Sequence, residues 1–444
     1  MKYLTVTDAQ ACILQAVKTL GIETVGIERC LGRVLAADIL ANRDQPPYDV
    51  SAMDGFALRS SDLAHGAATL EIVEDIRAGE MPTKTLATGQ CARIMTGAPV
   101  PQGADAVIRV EDTEALADNQ TKILCAVKPG NDIRQRAESM RNGAVVLTAG
   151  TEITPGVIGM LAMVKCSNVT VYRQPSVAIL STGDELEGLN DPFDANKIPD
   201  ANSHALMAQV LSLGIAPVML GIARDDPDEL RRYLQQGLQY DVLLVSGGTS
   251  VGVHDYVRPT LEALGVEMKF WRVAMKPGHP MAFGVASGHD KENFMPVPSP
   301  QSSPASGRGG KRSQCEFELC SFVFGLPGNP VSSMVCFEQF VAPALRRMTG
   351  KTKLYRRTVE ARLARDVKHQ PGRTEFIRVT LHKEEGGYAA ISTGAQGSGI
   401  LASMAHAEGL MIVPAESHGL MADTYVTVQL LDGMSYQHEI GGEW

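Results

Sequence analysis

The sequence lacks the long apolar runs that membrane proteins need. No stretch of its 444 residues approaches the roughly 18–20 consecutive apolar residues of a transmembrane helix. The amino terminus reads MKYLTVTDAQACIL, which contains neither the apolar core nor the cleavage site of a secretory signal peptide. We therefore expect a cytoplasmic protein.

Paired cysteines and blocks of basic residues are also missing. The eight cysteines are scattered and none forms a CxxC pair, so we expect reduced thiols and disfavour a zinc site. The net charge is −9, and the densest basic spot is a short run at 308–312. This distribution makes nucleic acid a poor partner.

The composition is that of an ordinary globular protein, with 44% hydrophobic and 20% charged residues. At roughly 100–200 residues per domain, the length predicts two to four domains. Residues 8–20 show helical spacing, with Thr7 or Asp8 as the N-cap and Gly21 as the stop. Residues 44–146 are rich in glycine, proline and short β-branched runs, which predicts an irregular β domain.

Strands and helices alternate from about residue 175. SVAILSTGDEL, APVMLGIARDD and YDVLLVSGGTSVG have the pattern of strands, whereas NSHALMAQVLSLG, PDELRRYLQQGLQ and VRPTLEALG have that of helices. This alternation predicts a parallel α/β sheet, whose ligands bind at the carboxyl ends of the strands. Residues 287–316 are dominated by proline, serine and glycine and predict a flexible surface insert, and residues 353–433 predict a last small β domain.

A glycine-rich loop follows one of the buried strands. Glycines allow backbone N–H groups to converge on an anion, and hydroxyls add donors, so the loop predicts a phosphate site or, alternatively, a plain tight turn. It is neither a Walker A motif nor a GxGxxG motif. The candidate binding residues in it are Ser246, Gly247, Gly248, Thr249 and Ser250.

Acidic residues follow three of the predicted strands or loops. Asp184 and Glu185 end one strand, where they could hold a hard cation through oxygen ligands, or Asp184 could cap a helix in a solvated loop. Asp225 and Asp226 end the next strand, and one of the two could serve only as the cap of the following helix. Asp255 follows the glycine-rich loop. Several such strand ends on one edge are more than a plain sheet needs.

Two proline-containing turns are further candidates. The first carries a lysine suited to an oxyanion, although it could be a plain surface turn. Its residues are Lys276, Pro277, Gly278 and His279. The second joins a strand to a helix and could hold a ligand or only direct the chain. Its residues are Pro327, Gly328, Asn329 and Pro330.

Eight segments together resemble the MoeA-like molybdopterin molybdenumtransferase family, which includes the E domain of gephyrin. They occur in the order found in the family and span about residues 5 to 430, except for the insert. The matching segments are PPYDVSAMDGFAL, RIMTGAPVPQGADAVIRVED, ILSTGDEL, DVLLVSGGTSVGVHDYV, MKPGHPMAFG, GLPGNPVSS, GRTEFIRV and STGAQGSGILASMAHAEGLMIVP.

The resemblance implies a multidomain α/β plus β fold in a homodimer whose sites are shared between subunits. A central doubly wound MogA/MoaB-like parallel sheet is expected, with flanking irregular β subdomains and a C-terminal small β domain. The expected parts are a linking subdomain (21–45 and 147–174), an irregular β subdomain (46–146), the molybdopterin-binding α/β domain (5–20 and 175–350) and a C-terminal β domain (351–444).

The resemblance also implies a reaction: adenylated molybdopterin and molybdate give molybdenum cofactor and AMP, with Mg²⁺ as cofactor. The glycine-rich loop suits the phosphates of the pterin, and the acids suit magnesium. Molybdate is a tetrahedral dianion that needs Lys, Arg, Ser or backbone donors. The upstream adenylyltransferase and recipient molybdoenzymes are the implied protein partners, whereas no nucleic acid or membrane is expected.

Residue roles follow from the match to the family's motifs. The implied catalytic residues are Asp54, Thr96, Glu185, Asp225 and Asp255. Glu185 and Asp255 are the implied metal ligands. The implied oxyanion-binding residues, beside Lys276, are Arg373, Arg378 and Ser398.

The sequence departs from the family in two places. His279 stands where many members have a second lysine, and an imidazole there would bind an anion best when protonated. The insert at 287–316 lies between MKPGHPMAFG and GLPGNP, which both flank the expected pocket, so it could overhang the pocket or be inert. We expect it to be inert.

Two other functions remain open from the sequence. A pterin-binding scaffold is one alternative, although the retained set of acids favours chemistry. A different enzyme step on the same fold, such as the adenylyltransferase, is the other. The SAMDGFAL and STGAQGS segments, which such relatives are expected to lack, favour molybdenum insertion.

Overall fold

The structure is a computed structural model that describes residues 3–248, 256–287 and 320–431. Thr249, Ser250, Asp255 and the predicted insert beyond Ser287 lie outside the described residues. The chain divides into two compact units. Within the described ranges, no helix is both long and apolar enough to cross a membrane. The first unit comprises Met1–Glu23, Gly32–Val34 and Tyr172–Trp444, and the second comprises Thr24–Leu31 and Leu35–Val171.

The second unit contains a six-stranded sheet. In spatial order its strands are Ala106–Arg109, Gly55–Leu58, Gln90–Ile94, Ala68–Ile76, Gln120–Ile123 and Thr113–Ala115. Gln90–Ile94 and Ala68–Ile76 pair in parallel, and the other neighbours are antiparallel. Gly55 has no room for a Cβ because the carbonyl of Ile108 on the neighbouring strand occupies that space.

Short elements complete the second unit. The helix Pro155–Met163 begins after Thr154, whose hydroxyl accepts a hydrogen bond from Val157 N, and has proline in its first turn. The paired short strands are Ile22–Gly26 with Asn168–Tyr172, Ile39–Leu40 with Val145–Leu147, and Val50–Ser51 with Ile133–Arg134. The 3-10 helices are Ile27–Arg29, Ser60–Leu63 and Val110–Asp112.

The first unit contains the expected α/β sheet. In spatial order its strands are Pro217–Ala223, Val177–Thr182, Val242–Ser246, Ser321–Leu326, Ala282–Ala286 and Val266–Phe270. The first four are parallel, whereas Ala282–Ala286 runs antiparallel to both of its neighbours, an element that the predicted parallel sheet did not include. Val266–Phe270 therefore has the direction of the first four strands. It pairs antiparallel with Ala282–Ala286 because no helix connects the two, and a parallel pair needs such a crossover.

Helices cover both faces of this sheet, which confirms the doubly wound arrangement. Val177 and Ile179 pack on one face, and Ala178 and Leu180 of the same strand pack on the other. The helices on the first face are Val6–Ala16, Ala201–Ser212, Pro330–Cys336 and Ala342–Met348, the last two joined by the π-helix Phe337–Val341. Pro227–Gly237 and Val257–Ala263 cover the second face.

The first helix differs from its prediction in its limits and in the residue that caps it. It runs from Val6 to Ala16, and the hydroxyl of Thr5, not Thr7 or Asp8, caps it by accepting a hydrogen bond from the backbone N–H of Asp8. The buried residues are Val6, Ala9 and Ile13. The periodicity alone predicted a start two residues too late because it gave no weight to Thr5 as the earlier cap.

The C-terminal part of the first unit is a small barrel. Five strands close on themselves: Thr358–Leu363, Tyr425–Leu430, Gly409–Val413, Thr374–Glu384 and Gly387–Ser392. The short strand Met275–Lys276, from the α/β part of the chain, adds to Thr374–Glu384 in parallel. The remaining elements are the paired strands Val367–Lys368 with Gly419–Leu420, the paired strands Leu186–Glu187 with Ile198–Pro199, and the helix Leu401–Ala405.

Candidate active site

Glycine turns meet at the carboxyl ends of the parallel strands. A Cβ on Gly247, whose φ is +96°, would lie 2.5 Å from Thr182 O, and one on Gly248 would lie 3.0 Å from Thr182 Oγ1. Both glycines are therefore required by the close packing of two turns, whatever else they do. The hydroxyls of Ser181 and Thr182 are buried there and have no hydrogen-bond partner among the described residues.

Asn202 joins two of these turns. Its side-chain amide donates to Ser246 Oγ at 2.8 Å and to Gly328 O at 2.7 Å. It lies in the first turn of the helix Ala201–Ser212. The sequence pattern does not single out Asn202, because a polar residue at the start of a helix usually indicates a cap.

The turn formed by Pro327, Gly328, Asn329 and Pro330 also meets the STGAQGS segment. Asn329 precedes the helix Pro330–Cys336, and Val331 N in that helix donates to Ser398 O at 3.1 Å. The structure thereby brings Ser398, from the barrel, to the same edge of the α/β sheet as the glycine turns. Two segments predicted separately from the sequence share one location.

The acidic residues at the strand ends are exposed. Asp226 caps the helix Pro227–Gly237 by accepting from the backbone N–H groups of Asp228 and Glu229, so the cap is Asp226 and not Asp225. Asp184 does not cap a helix; its Oδ1 accepts from Asp225 N at 3.3 Å.

No described residue forms an ion pair with Asp184, Glu185 or Asp225. The nearby Arg224 instead donates to Leu186 O at 2.8 Å and stabilises the turn itself. Three anionic groups therefore remain without a cationic partner in the described part of the chain, although no three His, Cys, Asp or Glu side chains there are grouped to hold a metal.

A cationic cavity of about 270 Å³ lies where the barrel meets the Lys276 turn. Its lining residues are Lys276, Lys368, His369, Gln370, Arg373 and Glu375. Lys276 Nζ lies 2.7 Å from Glu375 Oε1, and His369 Nδ1 lies 2.9 Å from Glu375 Oε2. Burial opposes ionisation of Glu375, but hydrogen bonds and charges from Lys276 and His369 outweigh it and lower the pKa of this carboxyl.

The structure places His279 and Arg378 outside the lining of this cavity. His279 Nδ1 lies 2.7 Å from Val273 O, and its ring packs edge-on against Tyr3. Arg378 is 1% exposed, and its guanidinium donates to Ser403 Oγ at 3.2 Å and to Gly397 O at 3.2 Å. Arg378 thus holds the loop that carries Ser398, whereas Arg373 is exposed at the cavity.

Asp54 and Thr96 are paired in the second unit. Thr96 N and Thr96 Oγ1 each lie 2.7 Å from Asp54 Oδ1. These bonds, the backbone one first, lower the pKa of Asp54. The structure therefore joins two residues that the family motifs singled out independently.

Three family models match consecutive parts of the chain. The model of the MoeA N-terminal region (domain I and II) matches residues 4–164, that of a probable molybdopterin binding domain matches 178–347, and that of the MoeA C-terminal region (domain IV) matches 360–431. The chain belongs to the MoeA family of molybdopterin molybdenumtransferases. It is an enzyme of molybdenum cofactor biosynthesis, as the resemblance implied.

Curated relatives and solved structures agree with this membership. The molybdopterin molybdenumtransferase of Nostoc sp. is 35% identical over 399 residues, which cover 88% of this chain and 85% of the relative. That of Bacillus subtilis is 32% identical and covers 95% and 91%. The molybdopterin biosynthesis MoeA protein of Pyrococcus horikoshii OT3 superposes with a TM-score of 0.76 at 28% identity, covering 97% of this chain and all of that one.

Proposed function

We propose that this MoeA family member inserts molybdenum from molybdate into adenylated molybdopterin and releases AMP in a magnesium-dependent reaction. We propose further that it acts in the cytoplasm as a homodimer, between the upstream adenylyltransferase and recipient molybdoenzymes. The observation that carries the reaction is the presence of two complementary sites in one unit. One is the edge of glycine turns and acids, and the other is the cationic cavity around Lys276.

The glycine turns suit the pterin phosphates. Backbone N–H groups in such turns can converge on phosphate oxygens, and the buried hydroxyls of Ser181 and Thr182 are donors that lack a partner within the described ranges. We assign the phosphates to two groups of residues at this edge. They are Ser246, Gly247, Gly248, Thr249 and Ser250, and Pro327, Gly328, Asn329, Pro330 and Ser398.

The cationic cavity suits molybdate. A tetrahedral dianion needs several donors and positive charge, which Lys276, Lys368 and Arg373 supply. Pro277 and Gly278 form the turn that carries Lys276, and a Cβ on Gly278 would lie 2.6 Å from Cys336 Sγ, so the turn packs tightly on the α/β core. We therefore place oxyanion binding on Lys276 and Arg373, while His279 and Arg378 hold the surrounding backbone.

The acids fit a magnesium ion by their chemistry. Mg²⁺ prefers oxygen ligands, keeps several waters, and is usually bound through one or two carboxylates plus substrate phosphates. Glu185 is exposed and has no ion-pair partner in the described structure, so its carboxylate is available to a metal ion. Glu185 and Asp255 would hold the ion, which would neutralise phosphate charge as AMP leaves. Asp225 adds negative charge at the same edge of the sheet, and we propose Asp54, with Thr96, as catalytic residues on the match of their motifs alone.

Release of AMP tests this function directly. The full chain is incubated with adenylated molybdopterin and Mg²⁺, with and without molybdate. We expect molybdate-dependent AMP release that is lost in Asp255→Ala and retained in Glu385→Ala, an exposed acid in a barrel turn. Pterin binding without AMP release in the wild-type chain would contradict the proposed reaction and leave a scaffold role.

A further inference from the structure

His369 is a buried imidazole with one unused nitrogen. Its side chain is 2% exposed. Its Nδ1 faces a carboxylate oxygen of Glu375, which can only accept, so Nδ1 carries the hydrogen. Its Nε2 is buried and has no hydrogen-bond partner among the residues described. A buried polar nitrogen without a partner is uncommon and needs an explanation.

A ligand in the neighbouring cavity would supply that explanation. His369 lines the same cavity as Lys276, Lys368 and Arg373. A water's share of liquid volume is roughly 30 Å³, so the cavity of about 270 Å³ has room for a tetrahedral oxyanion with several waters.

We propose that His369 is a further oxyanion-binding residue of this cavity and takes up a proton when the anion binds. Its neutral form presents a lone pair at Nε2, which repels an anion. Its protonated form donates from both nitrogens, Nδ1 to Glu375 and Nε2 to the oxyanion. The proton comes from solvent or buffer and forms the Nε2–H bond, and no other covalent bond of the protein or the anion changes. The identity of the anion as molybdate rests on the proposed function.

Glu375 makes this protonation favourable. It is a buried carboxylate shared between Lys276 and His369, so it stabilises an imidazolium and fixes the ring. The other charged groups that line the cavity are Lys276, Lys368 and Arg373, and the buried Arg378 also interacts electrostatically with Glu375. The strand Gly419–Leu420, which pairs with Val367–Lys368, adds no charge of its own. Lysine and arginine side chains generally stay charged from about pH 6 to 8.5, so an imidazole is the group type here that titrates in that range.

Protonation of His369 makes the affinity for the anion depend on pH. Anion binding that is coupled to uptake of a proton by His369 is strongest at low pH and weakens as pH rises. Uptake of one proton limits the loss of affinity to about tenfold per pH unit. This behaviour distinguishes a binding imidazole from one that only packs in the barrel.

Calorimetric titration of the full chain with sodium molybdate, without pterin, tests the inference. Buffers of different ionisation enthalpy at several values from about pH 6 to 8.5 give the number of protons taken up. We expect uptake to approach one proton per molybdate near the upper limit. His369→Gln should remove both uptake and pH dependence, and the exposed His382→Gln should retain both.

His279 provides the decisive comparison. Its Nδ1 is already bound to Val273 O, so His279→Gln should keep the proton uptake. If His279→Gln loses the proton uptake, or if the wild-type chain takes up no proton when molybdate binds, the inference is overturned. Either result can be obtained even if His369→Gln does not fold. Molybdate binding with proton uptake but no AMP release would defeat only the proposed function. AMP release without proton uptake would defeat only this inference.

Discussion

Thr96 binds the carboxylate of Asp54 twice, through its backbone N and its Oγ1, each 2.7 Å from the same oxygen. The two residues are 42 positions apart, so the contact joins the SAMDGFAL and RIMTGAPV segments. Both are exposed, and the bonds lower the pKa of Asp54. Asp54 is therefore held ionised and in one orientation at neutral pH.

Thr96→Val should loosen the orientation of the Asp54 carboxylate while leaving it ionised at neutral pH. It removes the hydroxyl bond and keeps the backbone bond, so the pKa of Asp54 should rise toward its usual value, as a carbon-13 NMR titration of the carboxyl would show. The pairing favours folding above the unfolded pKa of about 3.9 and loses that effect as pH falls through the lower folded pKa. We expect AMP release at neutral pH to fall about tenfold or more, as for loss of a positioned catalytic group. The exposed Thr85→Val should change neither quantity.

Glu185→Gln should weaken metal dependence. The substitution keeps the shape and removes one negative charge from an exposed carboxylate. We expect the Mg²⁺ concentration for half-maximal AMP release to rise about tenfold or more, in line with loss of a charged oxygen ligand. Chelation with EDTA should abolish release from the wild-type chain. An unchanged Mg²⁺ dependence in this variant, judged against Glu385→Gln, would show that Glu185 is not a ligand.

Asn202→Ala should loosen the glycine turns. The variant loses the bonds to Ser246 Oγ and Gly328 O, and each unsatisfied partner costs about 1–3 kcal/mol when buried. We expect a lower midpoint of thermal unfolding and a KM for adenylated molybdopterin that rises more than kcat falls. Asn196→Ala, an exposed asparagine in the preceding turn, is the control. Equal kinetic effects from both substitutions would contradict a specific role for Asn202.

Arg373→Ala should weaken molybdate binding, whereas Arg378→Ala should lower the stability of the barrel. Arg373 is exposed at the cavity, so its removal should weaken molybdate binding, measured by calorimetry, about tenfold or more with little loss of stability. Arg378 is buried and donates to Ser403 Oγ and Gly397 O, so its removal should destabilise the barrel, by about 1–3 kcal/mol for each buried partner left unsatisfied. A stable Arg378→Ala protein with weakened molybdate affinity would restore Arg378 to the oxyanion site.

Regular local patterns predicted most of the α/β part. The alternation after residue 175 identified its strands and helices because each element carries its own periodicity. The strands Val266–Phe270 and Ala282–Ala286 were not predicted, and their antiparallel pairing depends on the connection between them and not on their local pattern. The sequence pattern likewise did not predict that the barrel closes through the pairing of Thr374–Glu384 with Gly409–Val413, because this pairing joins segments that are distant in sequence.

Candidate site residues within motifs could be named from the sequence, whereas the residues that contact and support them could not. Lys276 and Arg373 stood out by motif, whereas Glu375, in the same motif as Arg373, and His369, just before that motif, were not singled out. The ion pair between Lys276 and Glu375 spans 99 positions of sequence, the difference of the two numbers. One signal was available: a glutamate within the apolar run TEFIRV predicts a buried charge, and such a charge needs a cationic partner.

The strand Met275–Lys276 belongs to the α/β part by sequence but pairs with the barrel strand Thr374–Glu384. The two parts are consequently not interchangeable modules. An excised α/β fragment ending near residue 350 would lose the template that sets the backbone of Lys276 and the carboxylate that holds its amine. A barrel from another protein could replace this one only if it supplied both a strand that pairs with Met275–Lys276 and a carboxylate in the position of Glu375. The cavity around Lys276 therefore depends on the α/β part and the barrel together.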